Sequence, residues 1–303
     1  MPLIPVFNAA RTAELLDFSD MVHEIKRACM ELADGLIQAP TRQALDFAQG
    51  GNLLSMPAAA ADIGIHKLVT VIPDNPQRNL PTIHGIVSAY DGQTGRPLFL
   101  LDGPTVTARR TAAVSMVGLD VFLQTAPTHV TIIGYGVQAS GHAQALASLY
   151  PGLSVSIVGR DRSKALTFLD AHSYLNLTLT ADDTVPDGTD AVITVTTSAA
   201  PVYDHPATVQ RLIVAVGAFR PTMAEIGNTT LQGSQLYVDE PVGARHEAGD
   251  YLQAQVDWDR VMGLADALRE GVSMDRPIVY KTVGSSAWDL AAARAALKRL
   301  DTA

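Results

Sequence analysis

Cysteine is almost absent from this chain of 303 residues. Cys29 stands alone, so no intramolecular disulfide can form and a reducing compartment is expected. Basic runs are missing too. With 22 Lys and Arg against 31 Asp and Glu the net charge is −9, which argues against a nucleic-acid or anionic-membrane partner. No apolar run approaches the roughly 20 residues of a membrane span. Met1-Pro2-Leu3-Ile4-Pro5 carries no basic segment ahead of an apolar one, so the expected location is cytoplasmic. The eight histidines are scattered, none in His-x-x-x-His spacing, and without a second cysteine no metal site is expected. Neither a Gly-x-Ser-x-Gly nor a Walker sequence occurs.

What is present describes a globular chain with ample core, 47% hydrophobic and 17% charged. Its length fits two domains of about 150 residues. A first helix is predicted from Asp17 as N-cap, with Asp20 three residues on, to a stop at Gly35. Cys29 shares an apolar face of it with Val22, Ile25 and Leu32, which predicts burial. Residues 40–102 read as strand-rich, with β runs at 52–56, 67–72 and 83–90. Pro57, Pro73-Asp74-Asn75-Pro76 and Asp91-Gly92-Gln93-Thr94-Gly95 punctuate them, the pattern of an antiparallel or mixed sheet. After a helical stretch over 107–125 the rhythm changes. Strands at 130–133, 154–158, 191–196, 212–216 and 236–239 lie at crossover distance, which predicts a parallel, doubly wound α/β sheet. A last helix is read from Ser286 as N-cap with Asp289 at N3, a capping box. The expected domains are a dinucleotide-binding domain over 121–270 and an N-terminal sheet domain over 1–120, rejoined by 271–303.

Within the parallel segment, Val130-Thr131-Ile132-Ile133-Gly134-Tyr135-Gly136-Val137-Gln138-Ala139 carries the strongest signal. A β-branched run ends in Gly-x-Gly-x-x-Ala and turns helical. Gly134 permits a tight turn, Gly136 lets the backbone approach a pyrophosphate, and Ala139 lets helix and strand pack closely. The helix start at Val137 and Gln138 then offers its free N–H groups to the phosphates. The next strand ends in Gly159-Arg160-Asp161-Arg162-Ser163. NAD-selective sites place an acid at that point and NADP sites place cations. Arg160 and Ser163 therefore predict NADPH preference, with NAD possible, and Asp161 weighs against it. Three further cations, Arg42, Lys67 and Arg110, each sit near the end of an ordered segment in an otherwise acidic protein. Lys67 lies in an apolar run, where an unpaired lysine is costly. Such groups either grip a carboxylate or form internal salt bridges. Adjacent Arg109 reads as a surface or phosphate contact, and His66 as a packed or exposed histidine.

Several phrases, in order along the chain, resemble the ornithine cyclodeaminase/μ-crystallin family. They are Pro40-Thr41-Arg42, His66 to Asn75, Leu80-Pro81-Thr82, Thr107 to Ala113, Ile133 to Ala139, Ala215 to Pro221, Glu247 to Asp250 and Thr282 to Leu290. The resemblance implies a homodimer joined through the N-terminal sheet domain, with NAD(P) in a Rossmann domain. It assigns Arg42, Lys67 and Arg110 to the carboxylate of a small anionic imino- or amino-acid substrate. It puts Thr82 and Gly284 near the nicotinamide and implies Thr111 as a further cofactor contact. The alternative for Thr82 is a threonine capping a strand after Pro81.

Three functions fit. The first is NAD(P)H-dependent reduction of cyclic ketimino acids (Δ1-pyrroline-2-carboxylate or Δ1-piperideine-2-carboxylate) to proline or pipecolate. The proton comes from Lys67 or from a water held by Thr82. The second is ornithine cyclodeaminase or an alanine dehydrogenase-like oxidoreductase, and the third a non-catalytic NADP-binding protein. In the cyclodeaminase branch an aspartate follows the Val-Gly step and serves the substrate's distal amine. Here Val216-Gly217-Ala218-Phe219-Arg220-Pro221 puts Phe219 there, a ring that can pack on substrate methylenes and cannot accept a proton. The resemblance is therefore nearer to the μ-crystallin-like reductases, which also lack that aspartate.

Overall fold

A computed structural model describes residues 3–302. Met1 and Pro2, on which the reading of the N-terminus draws, lie outside the described residues, as does Ala303. The chain folds as two compact units, Met1–Arg110 with Ser285–Ala303, and Thr111–Gly284. The sequence expectation put the breaks at 120 and 270. The first break falls instead inside one helix, and 271–284 goes with the second unit.

In the first unit, helices α1 (Ala9–Leu15) and α2 (Phe18–Ala33) precede a five-stranded antiparallel sheet. Its strands, in spatial order, are β1 (Gln43–Asp46), β2 (Asn52–Ala59), β3 (Ile63–Val71), β4 (Ile83–Asp91) and β5 (Pro97–Asp102). Asp17 caps α2 as its type predicts, accepting from the N–H groups of Ser19 and Asp20. Cys29 is buried in that helix. Burial along β3 alternates, with Ile63, Ile65, Lys67 and Val69 on the inward face, because strand side chains alternate with period two. The C-terminal helix α10 (Ser286–Asp301) lies against α2, β2 and β3. Its Ala291, Ala292, Ala293, Ala295 and Ala296 are all fully buried; so small a face permits close approach to its neighbours. Arg294 anchors it by a two-pronged pair with Asp62 (2.9 and 2.7 Å) and a third bond to Glu31 (2.7 Å).

Helix α3 (Gly103–Phe122) carries the chain from the first unit into the second. The second unit is an eight-stranded parallel sheet: β6 (His129–Ile133), β7 (Ser154–Val158), β8 (Thr178–Asp182), β9 (Ala191–Thr194), β10 (Leu212–Ala215), β11 (Gln235–Val238), β12 (Val261–Gly263) and β13 (Ile278–Lys281). Their order is β12-β11-β13-β10-β9-β6-β7-β8. Helices α4 (Val137–Leu149) and α5 (Arg162–Ala171) follow β6 and β7, and short helices α6 (Asn228–Gln232), α7 (Pro241–Glu247), α8 (Gly249–Gln253) and α9 (Leu264–Glu270) complete the connections. From β6 the chain winds outward to β7 and β8, then returns to β9 on the other side of β6. The order therefore reverses between β6 and β9, the place where doubly wound sheets take a dinucleotide. The sequence reading had assigned β13 to the N-terminal domain. It lies between β10 and β11 with all four residues buried; Ile278-Val279-Tyr280 suits a central parallel strand, and Lys281 ends it.

Among the described residues no helix is long and apolar enough to cross a membrane, and no group of three metal-ligating side chains forms.

Candidate functional site

The first unit gathers the predicted cations. Strand alternation forces Lys67 inward, opposite Met56 and Val87 in the register, both buried. Its Nζ lies 2.6 Å from Oδ2 of Asp289, and Nε of Arg110 lies 3.5 Å from Oδ1 of the same carboxylate. Lys67 is 2% exposed, Arg110 9% and Asp289 0%. Burial pushes the Lys67 ammonium down to about 8. The Asp289 charge opposes that shift, while the positive charges of Arg110 and Arg42 add to it.

Asp289 corrects the sequence reading. The N-cap of α10 is Ser285, whose side chain accepts from the Ala287 N–H. Ser286 is the first helical residue, and its hydroxyl donates to the Pro57 carbonyl (2.8 Å). Asp289 is thus released from capping and turned to the two cations. Of the alternatives left open above, the internal salt bridge is present for Lys67 and Arg110. Two cations share one buried carboxylate, which leaves Lys67, Arg110 and Asp289 with one positive charge in excess in a poorly solvated place. Such an excess calls for an anion.

Arg42 is half-buried just before β1. Thr82 is half-buried where its carbonyl accepts the Ile72 N–H (2.8 Å) between β3 and β4, and its hydroxyl has no protein partner among the described residues. Arg109 is a packing residue, not a surface or phosphate contact. Its guanidinium stacks 4.0 Å over the Phe18 ring and its Nε donates to the Leu16 carbonyl (2.8 Å). His66 is half-buried and shares a hydrogen bond with the Ser55 hydroxyl (2.9 Å).

In the second unit the Gly-x-Gly-x-x-Ala phrase forms the predicted turn after β6. Gly134 has φ +125°, and a Cβ there would press on Val195 at 3.1 Å, so the turn demands glycine. Gly136 differs. A Cβ on it would meet no protein atom within 4 Å, so nothing in the protein itself excludes a side chain there. Helix α4 starts at Val137 without a side-chain cap, leaving the N–H groups of the Val137–Gln138–Ala139 turn toward that space. Ala139 is fully buried. Thr111 and the start of its helical turn are also buried, its carbonyl accepting from the Ser115 hydroxyl (3.3 Å).

At the end of β7, Arg160 is exposed and has no ion-pair partner among the described residues. Asp161 is spent on capping α5, accepting from the N–H groups of Ser163 and Lys164 and from the Ser163 hydroxyl (2.6 Å). Ser163 was predicted as a phosphate donor, but its O–H already points at Asp161, because the helix start needs that cap. Arg162 pairs with Asp183 at 2.9 Å. Gly159, which sequence reasoning passed over, seats the Tyr135 ring: a Cβ on Gly159 would collide with it. Gly284 follows β13 with φ +85°, and its N–H and that of Val283 each donate to the Asp239 carboxylate at 3.0 Å. Phe219 is 38% exposed, with the Arg220 guanidinium 5.5 Å from its ring centre.

The sequence profile of the ornithine cyclodeaminase/mu-crystallin family matches residues 5–302. The chain is 47% identical over 300 residues to Delta(1)-pyrroline-2-carboxylate reductase 2 of Burkholderia ambifaria, covering 98% of this chain and 96% of that one. It is 46% identical over 295 residues to the Delta(1)-pyrroline-2-carboxylate/Delta(1)-piperideine-2-carboxylate reductase of Azospirillum brasilense, covering 97% and 95%. Among solved structures, that of Thermococcus litoralis Delta(1)-pyrroline-2-carboxylate reductase in complex with NADH and L-proline superposes with a TM-score of 0.86, at 24% identity and 97% coverage of both chains.

Proposed function

The chain belongs to the ornithine cyclodeaminase/mu-crystallin family, and from that premise we propose that it reduces cyclic ketimino acids, Δ1-pyrroline-2-carboxylate or Δ1-piperideine-2-carboxylate, to proline or pipecolate at the expense of NAD(P)H. The observation that carries this reading is the buried, net-positive cluster of Lys67, Arg110 and Asp289, in a chain nearly half identical to reductases with these substrates in their names. The nicotinamide, when bound, supplies a hydride to the imine carbon. The protein's own groups do the rest. Arg110 and Arg42 neutralise the ring carboxylate. Lys67, near 8, is protonated at neutral pH yet acidic enough to release its proton toward the imine nitrogen, or toward a water held by the Thr82 hydroxyl. Asp289 holds Lys67 in place and keeps it charged. Phe219 presents a hydrocarbon face suited to ring methylenes.

The residues of the second unit fit a dinucleotide: the unfilled space over Gly136, the uncapped start of α4 and the strand reversal between β6 and β9. Gly134, Gly136, Val137, Gln138 and Ala139 would hold the pyrophosphate, with Thr82, Thr111 and Gly284 toward the nicotinamide. NADPH is preferred, because Asp161 is committed to α5 and Arg160 is left facing solvent. Arg160→Ala should lower the NADPH/NADH ratio of kcat/KM by about tenfold, the worth of one charge-assisted contact. An unchanged ratio would remove Arg160 from cofactor selection. We further take the protein to be a cytoplasmic homodimer joined through the antiparallel sheet, on which Leu45, Ile83 and Ile86 are exposed.

The decisive assay is oxidation of NADPH and NADH by purified protein with each cyclic ketimine, with pyruvate plus methylamine as an open-chain control, alongside ornithine with NAD+. Rapid turnover of a ketimine and no proline from ornithine is the expected result, because Phe219 cannot pair with ornithine's ammonium. Efficient conversion of ornithine to proline and ammonia would reverse it.

A further inference from the structure

A second buried charge cluster lies in the parallel-sheet unit, among residues to which the sequence reading gave no role. Glu225, Asp250 and Lys281 are each no more than 1% exposed. The Glu225 carboxylate accepts from the Thr194 hydroxyl (2.9 Å) and the Gly217 N–H (2.6 Å) through Oε2, and from the Thr196 N–H (2.5 Å) through Oε1. Thr194 ends β9 and Thr196 follows it; Gly217 follows β10. One side chain thus ties together the loops leaving two adjacent strands at their carboxyl ends. Those loops are already in contact, since a Cβ on Gly217 would collide with the Thr196 backbone and the Glu225 carboxylate. Asp250 fixes Glu225 from behind, accepting the backbone N–H groups of Glu225 and of Ile226 (2.8 Å). Its other oxygen pairs at 2.8 Å with Nζ of Lys281, the last residue of β13. Burial raises the Glu225 carboxyl, while Lys281 and the donors from Thr196 hold it down.

Burying three charges is costly, and packing alone is served as well by apolar side chains. What apolar side chains cannot do is accept two backbone N–H groups from separate loops. The position of those loops is informative. The Gly-rich turn follows β6, and the adenosine half of a dinucleotide lies on the β7 side of the reversal, so its nicotinamide half lies over β9 and β10. We infer that Glu225, braced by Asp250 and Lys281, is a positioning residue for the nicotinamide half of the cofactor, holding the 194–196 and 217 backbone in binding geometry. This rests on the dinucleotide reading above.

The test uses NADPH and 2′-phospho-ADP-ribose, which keeps the adenosine half and lacks nicotinamide, with Kd measured for both by titration. Glu225→Gln keeps the shape but turns an N–H donor toward one of the backbone donors. It is expected to weaken NADPH binding by roughly 10- to 100-fold and to leave 2′-phospho-ADP-ribose binding unchanged. Thr194→Val removes one bond to Glu225 without altering volume, and should give the same selective loss at about three- to tenfold, whether or not the glutamine variant folds. Equal weakening of both ligands would show a merely structural role and overturn the inference, as would no change in either. Should the wild type bind neither, the same comparison is read with NADH and ADP-ribose; wild-type protein that binds none of the four would sink the dinucleotide reading itself, and this inference with it.

Discussion

Lys67→Met and Arg110→Met should each lower kcat/KM for ketimine reduction by roughly 30- to 1000-fold while leaving NADPH affinity nearly intact. Each removes a charge-assisted contact from a poorly solvated site, worth about 2–4 kcal/mol. The two residues and Asp289 belong to the first unit, whereas the Gly-rich turn belongs to the second, so the loss should divide cleanly between substrate and cofactor. The pH profile adds a separate signature. Lys67 has its pKa lowered to about 8, so it is charged below that value and loses its proton above it. On the proposed mechanism reduction needs the charged form, which gives up the proton. The reductive kcat/KM should therefore be level below pH 8 and fall about tenfold per unit above it. In Lys67→Arg, which stays charged throughout, that alkaline limb should vanish along with most of the turnover.

The same shift has a stability consequence of opposite sense. The folded protein binds this proton less tightly than the unfolded chain, whose lysines titrate near 10.5. Lys67 therefore costs stability below pH 8, by about 3–4 kcal/mol at ~1.4 kcal/mol per unit, and that cost is relieved as pH rises from 8 toward 10.5. A methionine at this inward β3 position, between Ile65 and Val69, should thus fold at least as stably as the lysine. Loss of folding in both methionine variants, with no selective kinetic defect, would return these cations to a purely structural role.

Asp289→Asn should be the most damaging single change to stability. It leaves two cations facing each other in a buried place without a counter-charge, a loss of about 3–5 kcal/mol. For a unit of this size that is roughly 6–20 °C in Tm, read by thermal denaturation at pH 7. The residue also holds up the Lys67 pKa, so whatever activity survives should have its alkaline limb displaced below pH 8. Unchanged Tm together with a limb still at 8 would mean that Asp289 does not carry the pairing its position implies.

Much of this was written in local pattern. The spacing of β-branched runs and crossovers determined the parallel sheet, Asp17 determined the start of α2, and Gly134 through Ala139 determined the strand-turn-helix, because each depends on residues within a few positions of one another. Lys67 was legible as an anomaly, a lysine in an apolar run. Tertiary structure alone decided what that anomaly meant. Asp289 lies 222 positions away in the sequence and read as a helix cap, since a Ser-x-x-Asp phrase looks the same whether its acid turns to its own backbone or to a distant strand. A shift of one residue in the cap, from Ser286 to Ser285, freed it for Lys67 and Arg110. Arg109 and Arg110 could not be told apart by type, but the helix sends one onto Phe18 and the other to Asp289. Glu225 gave no local signal at all, for its partners Thr194 and Thr196, Gly217, and Asp250 come from three separate stretches of chain. Periodicity and turn chemistry are short-range and can be read along the chain. Pairing of buried charges depends on three-dimensional distance, which only the folded topology sets.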